Sequence, residues 1–260
     1  MNVPVNLHWF LVSIFSVATA VQAQSLPHCD LPPIKASAQS RAGATKGSAK
    51  AMEGRQESNS TKEGSMFLQS PPATEATSQF YKSDLDQPGY IQNLSRLWAW
   101  RPEVSDAFSA LRAQLTSCST LSSRDLSVLV CATAATIGDS YCALAWGKRL
   151  AKETSPEAAA SVLAANPGKE LTARDRALSA WAQKVVRNPS GTRHSDVEEL
   201  RAAGLTEREI FEATVFIAFR IAFSTVNDAL GAKPDWRLAA DAPPEVRGAI
   251  TYGRSPESVP

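Results

Sequence analysis

Histidine is scarce in this chain. The 260 residues hold three, His8, His28 and His194, and none lies in a stretch that reads as core. C-x-x-C pairs, H-E-x-x-H and His-rich clusters are all missing, so no metal-ligand spacing exists and no metal is expected. Glycine-rich phosphate loops are missing too, and no cofactor is expected. Lys and Arg number 27 against 26 Asp and Glu, a net charge of +1, which gives no field for steering a polyanion; nucleic acid is not an expected partner. Apolar runs are short. Outside the N-terminal segment none approaches the roughly twenty residues of a membrane span, so no stable span is expected after signal cleavage. Strand patterns are absent throughout.

The N-terminal third is built differently from the rest. Residues 1–23 read as a secretory signal: Trp9 to Ala20 is apolar but too short to cross a bilayer, and Val21-Gln22-Ala23 sets small residues where a signal peptidase cuts. The expectation is a mature start near Gln24 and a secreted or periplasmic protein. Residues 24–79 carry almost no large apolar side chain and read as a disordered, low-complexity linker. Their dispersed Arg41, Lys46, Lys50, Arg55 and Lys62 are offset by Glu53, Glu57 and Glu63, as in a solvated tether. Residues 80–245 are long enough for one well-buried domain. Residues 246–260 are expected as a flexible tail.

Beyond residue 88 every element reads as helix. Ile91, Leu94, Leu97 and Trp98 fall at helical spacing, and so do Val104, Ala107, Phe108, Leu111 and Leu115 behind Pro102. Four capping boxes announce later helices: Ser122 with Asp125, Thr172 with Asp175, Ser195 with Glu198, and Thr206 with Glu209. The stretch from Thr206 to Leu230 is apolar on nearly all faces, which predicts a helix central to a bundle or shared with another subunit. Helix on helix without strands gives an all-α bundle, with about six to eight helices expected.

The segment richest in chemistry is LSSRDLSVLVCATAATIGDSYCALAWGKRL, residues 121–150. A capped helix breaks at Gly138, and a second helix opens on Asp139 with Cys142 in its first turn. There, backbone N–H groups and the helix dipole favour a thiolate. This layout resembles the redox segment of the alkylhydroperoxidase D-like (carboxymuconolactone decarboxylase) family, in its peroxidase-related branch. The flanking runs, residues 88–115 and 171–219, resemble the family's lead-in helices and C-terminal half. In that family a Glu lies on the first helix, a C-x-x-C opens the second, and a His follows four residues after the second Cys. Here Cys142 matches the second cysteine, Asp139 stands at the first, Trp146 replaces the His, and Ser127 falls at the Glu position. The resemblance implies an attacking thiol at Cys142 without its resolving partner or proton relay. It also implies a homo-oligomer, trimer or hexamer.

Three functions fit these residues. The first is a peroxiredoxin-type antioxidant oxidoreductase of low activity, with Cys142 as its single redox thiol, resolved by an external thiol reductant or by another cysteine of the chain. The second is a non-catalytic paralogue that kept the bundle for binding or assembly. The third is a carboxymuconolactone decarboxylase-like enzyme, disfavoured because that branch uses a pocket histidine. Asp139 reads either as an N-cap or as a general base. Ser127 is expected to bond its own helix, Trp146 to fill space, and His194 to be solvated. The four cysteines, Cys29, Cys118, Cys131 and Cys142, permit disulfides in an oxidising compartment. Their pairing is left open, since Cys131 and Cys142 would lie about 16 Å apart on a continuous helix.

Overall fold

The computed structural model describes residues 66–166 and 168–259. The expected signal, most of the expected linker, His8, His28 and Cys29 lie outside the described residues. Within them the chain is all-α: α1 (Glu75–Asp86), α2 (Asn93–Trp98), α3 (Pro102–Ser117), α4 (Ser123–Ile137), α5 (Ser140–Glu153), α6 (Pro156–Leu163), α7 (Ala173–Arg187), α8 (His194–Ala202), α9 (Glu207–Ala229), α10 (Trp236–Ala240) and α11 (Pro244–Ala249). Eleven α-helices exceed the six to eight expected, for two reasons. Pieces of five or six residues, α2, α10 and α11, are too short to show a helical period. In addition α1 starts at a Thr74 cap, inside the stretch expected as linker.

Helix α4 occupies the centre and packs on α5, α6, α7 and α9. Val128, Leu129, Val130, Cys131 and Ala132 are each 0% exposed. The small side chains from Cys131 to Ala134 let neighbouring helices approach closely. Helix α9, expected to be central or shared with another subunit, is not buried on all faces within the single chain: Phe211 is 69% exposed. Its buried stripe is Ile210, Ala213, Phe216, Ile217, Arg220, Phe223, Ser224 and Asn227, one face of a 3.6-residue helix.

Three of the four predicted capping boxes form, and each follows a buried leucine (Leu121, Leu171, Leu205). Ser122, Thr172 and Thr206 accept from the backbone N–H of Asp125, Asp175 and Glu209 at 3.1, 3.1 and 3.2 Å. The acids also tie helices together. Arg174 donates to Asp125 at 3.0 Å and to Glu209 at 2.7 Å, while Arg124 donates to Asp175 at 2.9 Å. The fourth box is a correction. α8 starts two residues earlier, with Arg193 at the cap position, and Asp196 accepts from the Arg193 N–H at 2.6 Å. Lys184 of α7 holds the same carboxylate, and this tertiary contact outweighs the local Ser195–Glu198 pattern.

The C-terminal segment differs from the flexible tail expected at 246–260. Val246, inside α11, is 0% exposed. Beyond it, Ser140 Oγ donates to the Arg254 carbonyl at 2.7 Å and Glu257 N to the Pro234 carbonyl at 2.9 Å. Gly253 has φ +71°, and a Cβ there would stand 2.3 Å from the Gly138 carbonyl oxygen. Only glycine lets this strap lie on the α4–α5 turn.

Candidate functional site

Gly138 ends α4 in the left-handed conformation, φ 91°, a geometry that favours glycine at a helix C-terminus. The chain then restarts at once. Asp139 N-caps α5, its Oδ1 accepting from the Cys142 N–H at 2.8 Å, so the cap places Cys142 as the third residue of the new helix. Asp139 is 0% exposed, and its Oδ2 has no hydrogen-bond partner among the described residues.

Cys142 is 3% exposed, and its Sγ receives a hydrogen bond from Arg220 Nη2 at 2.9 Å. Arg220 reaches it from the buried stripe of α9 and is itself 4% exposed. Its guanidinium lies 5.6 Å from the Trp146 ring centroid and 4.9 Å from that of Phe223. Among the described residues no carboxylate pairs with it, and its Nε makes no hydrogen bond. The thiol therefore sits against a buried guanidinium.

Two groups of forces act on that thiol. Burial first, then the Asp139 charge, push Cys142 well above the usual cysteine range; the Arg220 charge and the Ser224 hydroxyl pull the other way. Burial prevails, and Cys142 rests as a neutral thiol. Cys131, 0% exposed on α4, is pushed up as well, by burial and then by Glu153. Both are free thiols, whereas Cys118 is disulfide-bonded.

Trp146 follows Cys142 by one turn on α5, and Arg149 and Glu153 continue the stripe. Arg149 lies 5.0 Å from the Trp146 centroid and donates to Glu153 at 3.1 Å. Trp146 therefore contacts two guanidinium groups as well as filling space. Ser127 is 0% exposed, and its Oγ has no partner among the described residues. This corrects the expectation that it bonds its own helix: the hydroxyl is held in the core away from the preceding carbonyl. His194 is 81% exposed and pairs with Glu198 at 2.9 Å, remote from the thiol. Among the described residues no cluster of His, Cys, Asp and Glu could hold a metal, and no helix is long and apolar enough to cross a membrane.

Arg220 is the residue that sequence reasoning missed. A signal existed, for it is the only charge between Glu212 and Asp228 in an otherwise apolar run. A charge buried in such a helix requires a partner. Around it, Trp98 stacks on Phe223 with centroids 5.1 Å apart and donates from Nε1 to Asn227 at 2.9 Å. Phe108 and Phe219 close the same side, 5.6 Å apart. These rings pack behind the Phe223 face that Arg220 contacts.

Neither a family model nor a curated protein matches the chain. Solved structures do match. An alkylhydroperoxidase AhpD core, an uncharacterized peroxidase-related protein from Ralstonia eutropha JMP134, superposes with a TM-score of 0.60 at 23% identity, over 75% of this chain and 100% of that one. An uncharacterized peroxidase-related protein from Silicibacter sp. TM1040 gives 0.60 at 22% identity, over 69% and 97%. The debrominase Bmp8 gives 0.56 at 13% identity, over 70% and 96%. The fold of this chain is that of the alkylhydroperoxidase D core.

Proposed function

We propose that this protein is a single-thiol oxidoreductase of the peroxidase-related type, in which Cys142 reacts and Arg220 activates it. The 2.9 Å bond from Arg220 Nη2 to Cys142 Sγ carries this reading. A cation on sulfur favours the thiolate, which is the nucleophile, and stabilises negative charge on an oxygen leaving beside it. The thiolate attacks the terminal oxygen of a hydroperoxide and breaks the O–O bond. The products are a Cys142 sulfenic acid and, after protonation, an alcohol. An external thiol then forms a mixed disulfide and releases water; a second external thiol frees Cys142 and leaves as the external disulfide. Asp139 serves as the N-cap of α5, its Oδ1 accepting from the Cys142 N–H.

The resting thiol is neutral and enclosed, so the reaction is slow. The test is hydroperoxide consumption by the full chain with excess dithiol. Slow turnover that disappears in Cys142→Ser supports the reading; turnover unaffected by that change, or none at all, overturns it. The same reading includes export to an oxidising compartment and a trimeric or hexameric assembly.

The second reading, a non-catalytic binding or assembly protein, draws on the 3% exposure of Cys142 and its raised pKa. Under it Cys142→Ala changes stability and nothing else. The debrominase likeness introduces a further activity: that protein was also solved as a cysteine-to-alanine variant in complex with 2,3,4-tribromopyrrole, at a TM-score of 0.54.

A further inference from the structure

Arg220 presents an unbalanced charge. It is 4% exposed, has no carboxylate partner among the described residues, and leaves its Nε without a hydrogen bond. A buried ion without a counterion is costly, and proteins compensate it by pairing or ligation. The neutral Cys142 thiol does not balance it. Two more guanidinium groups stand near it, while the buried Asp139 carboxylate acts on the same thiol without bonding Arg220. Arg149 stands on the other guanidinium contact of Trp146, at 5.0 Å. Arg112 of α3 is depressed below its usual value by burial first and then by the charges of Arg220 and Arg149. The acid bonded to Arg149 is Glu153, which also accepts from Ser123.

The three guanidinium groups are graded in depth. The Arg149 side chain is 38% exposed, Arg112 is intermediate, and Arg220 is enclosed beside the sulfur. Cys142, Trp146, Arg149 and Glu153 share one face of α5, so the stripe runs from solvent to the thiol. Low dielectric strengthens the attraction of an anion as it moves inward.

We propose that the substrate of Cys142 carries a carboxylate, which Arg149 and Arg112 draw in and Arg220 receives, with its apolar body against Trp146 and Phe223. This inference rests on Cys142 being the reactive group. It narrows the substrate to small organic acids bearing an electrophilic atom, a hydroperoxide oxygen included. An incoming carboxylate takes the Nε–H that Arg220 leaves free, while Nη2 remains on sulfur. Arg220 then acts as binding group and thiol activator together. A neutral hydroperoxide of the same size leaves the Arg220 charge uncompensated and binds more weakly.

Two alkylating reagents that differ in charge test this: iodoacetate and iodoacetamide. The full-length protein is exposed to each, and labelling of Cys142 is followed by peptide mass spectrometry beside a small free thiol. The expected iodoacetate-to-iodoacetamide rate ratio at Cys142 exceeds that of the free thiol by about tenfold, the lower end of electrostatic focusing. It falls with added salt and falls toward the free-thiol value in Arg149→Gln, whose partly exposed side chain makes loss of folding a minor concern. A ratio at or below that of the free thiol overturns the carboxylate proposal while leaving the reactive thiol standing. Absence of labelling by either reagent overturns both.

Discussion

At the residue scale the site turns on a balance at one sulfur. Burial and Asp139 hold Cys142 neutral, and Arg220 opposes them. Removing the cation tips the balance further, so Arg220→Met raises the pH midpoint of Cys142 alkylation by about one to three units, the effect of one close opposite charge. The check is the pH profile of the labelling rate; an unchanged midpoint shows that Arg220 does not activate the thiol. A second residue gives a pH signature in stability. Burial first, and then the Asp139 charge, push Asp228 up to about 7. A group raised in the fold contributes stability that is present below its unfolded value and is lost as pH rises through 7. Asp228→Asn removes that loss, so its melting temperature gains on wild type between pH 4 and pH 8. A constant difference across that range contradicts the assignment.

Residues were legible in unequal measure. The Asp139 cap follows from Gly138 and the helix after it, and the structure has that bond at 2.8 Å. Arg220 was not read, because the sequence places it 78 positions from Cys142 and no local spacing connects them. Ser127 was misread for the same reason: whether a hydroxyl bonds its own helix depends on the neighbours that enclose it.

At the scale of elements, the caps were legible because their chemistry spans three residues. Thr172→Ala removes the hydroxyl's bonds to the Asp175 N–H and carboxylate and costs about 1 kcal/mol. Asp175→Asn costs more, about 2–3 kcal/mol, because Asp175 also holds Arg124 and accepts from both Thr172 groups. Denaturant unfolding of the two variants measures the ranking; equal losses would show that the Arg124 pair contributes nothing. The α8 start escaped the sequence because Asp196 and Glu198 compete, and Lys184, distant in sequence, decides between them. The central position of α4 escaped it too. Periodicity reports how apolar a helix is, while the space between helices is set by small residues such as Ala132 and Ala134.

At the scale of the whole molecule the order of helices and the break at Gly138 were readable, and the alkylhydroperoxidase D-like fold follows from them. Assembly is a property of surfaces, which the helical pattern does not resolve. Trp100, Leu111 and Phe211 remain 43%, 42% and 69% exposed in the single chain. The proposed oligomer predicts that the protein elutes in sizing experiments at twice the monomer mass or more; a clean monomer at micromolar concentration contradicts it.

The central claim is that Arg220 makes Cys142 the reactive sulfur of this fold. Trapping sulfenic acid with a dimedone probe after hydroperoxide treatment, and locating the adduct by mass spectrometry in wild type and Arg220→Met, tests it most directly. The account predicts an adduct on Cys142 and none on Cys131, with formation slowed about a hundredfold in the variant, the effect of removing one donor that stabilises developing charge. An adduct absent from Cys142, or formed equally fast in both proteins, would contradict it.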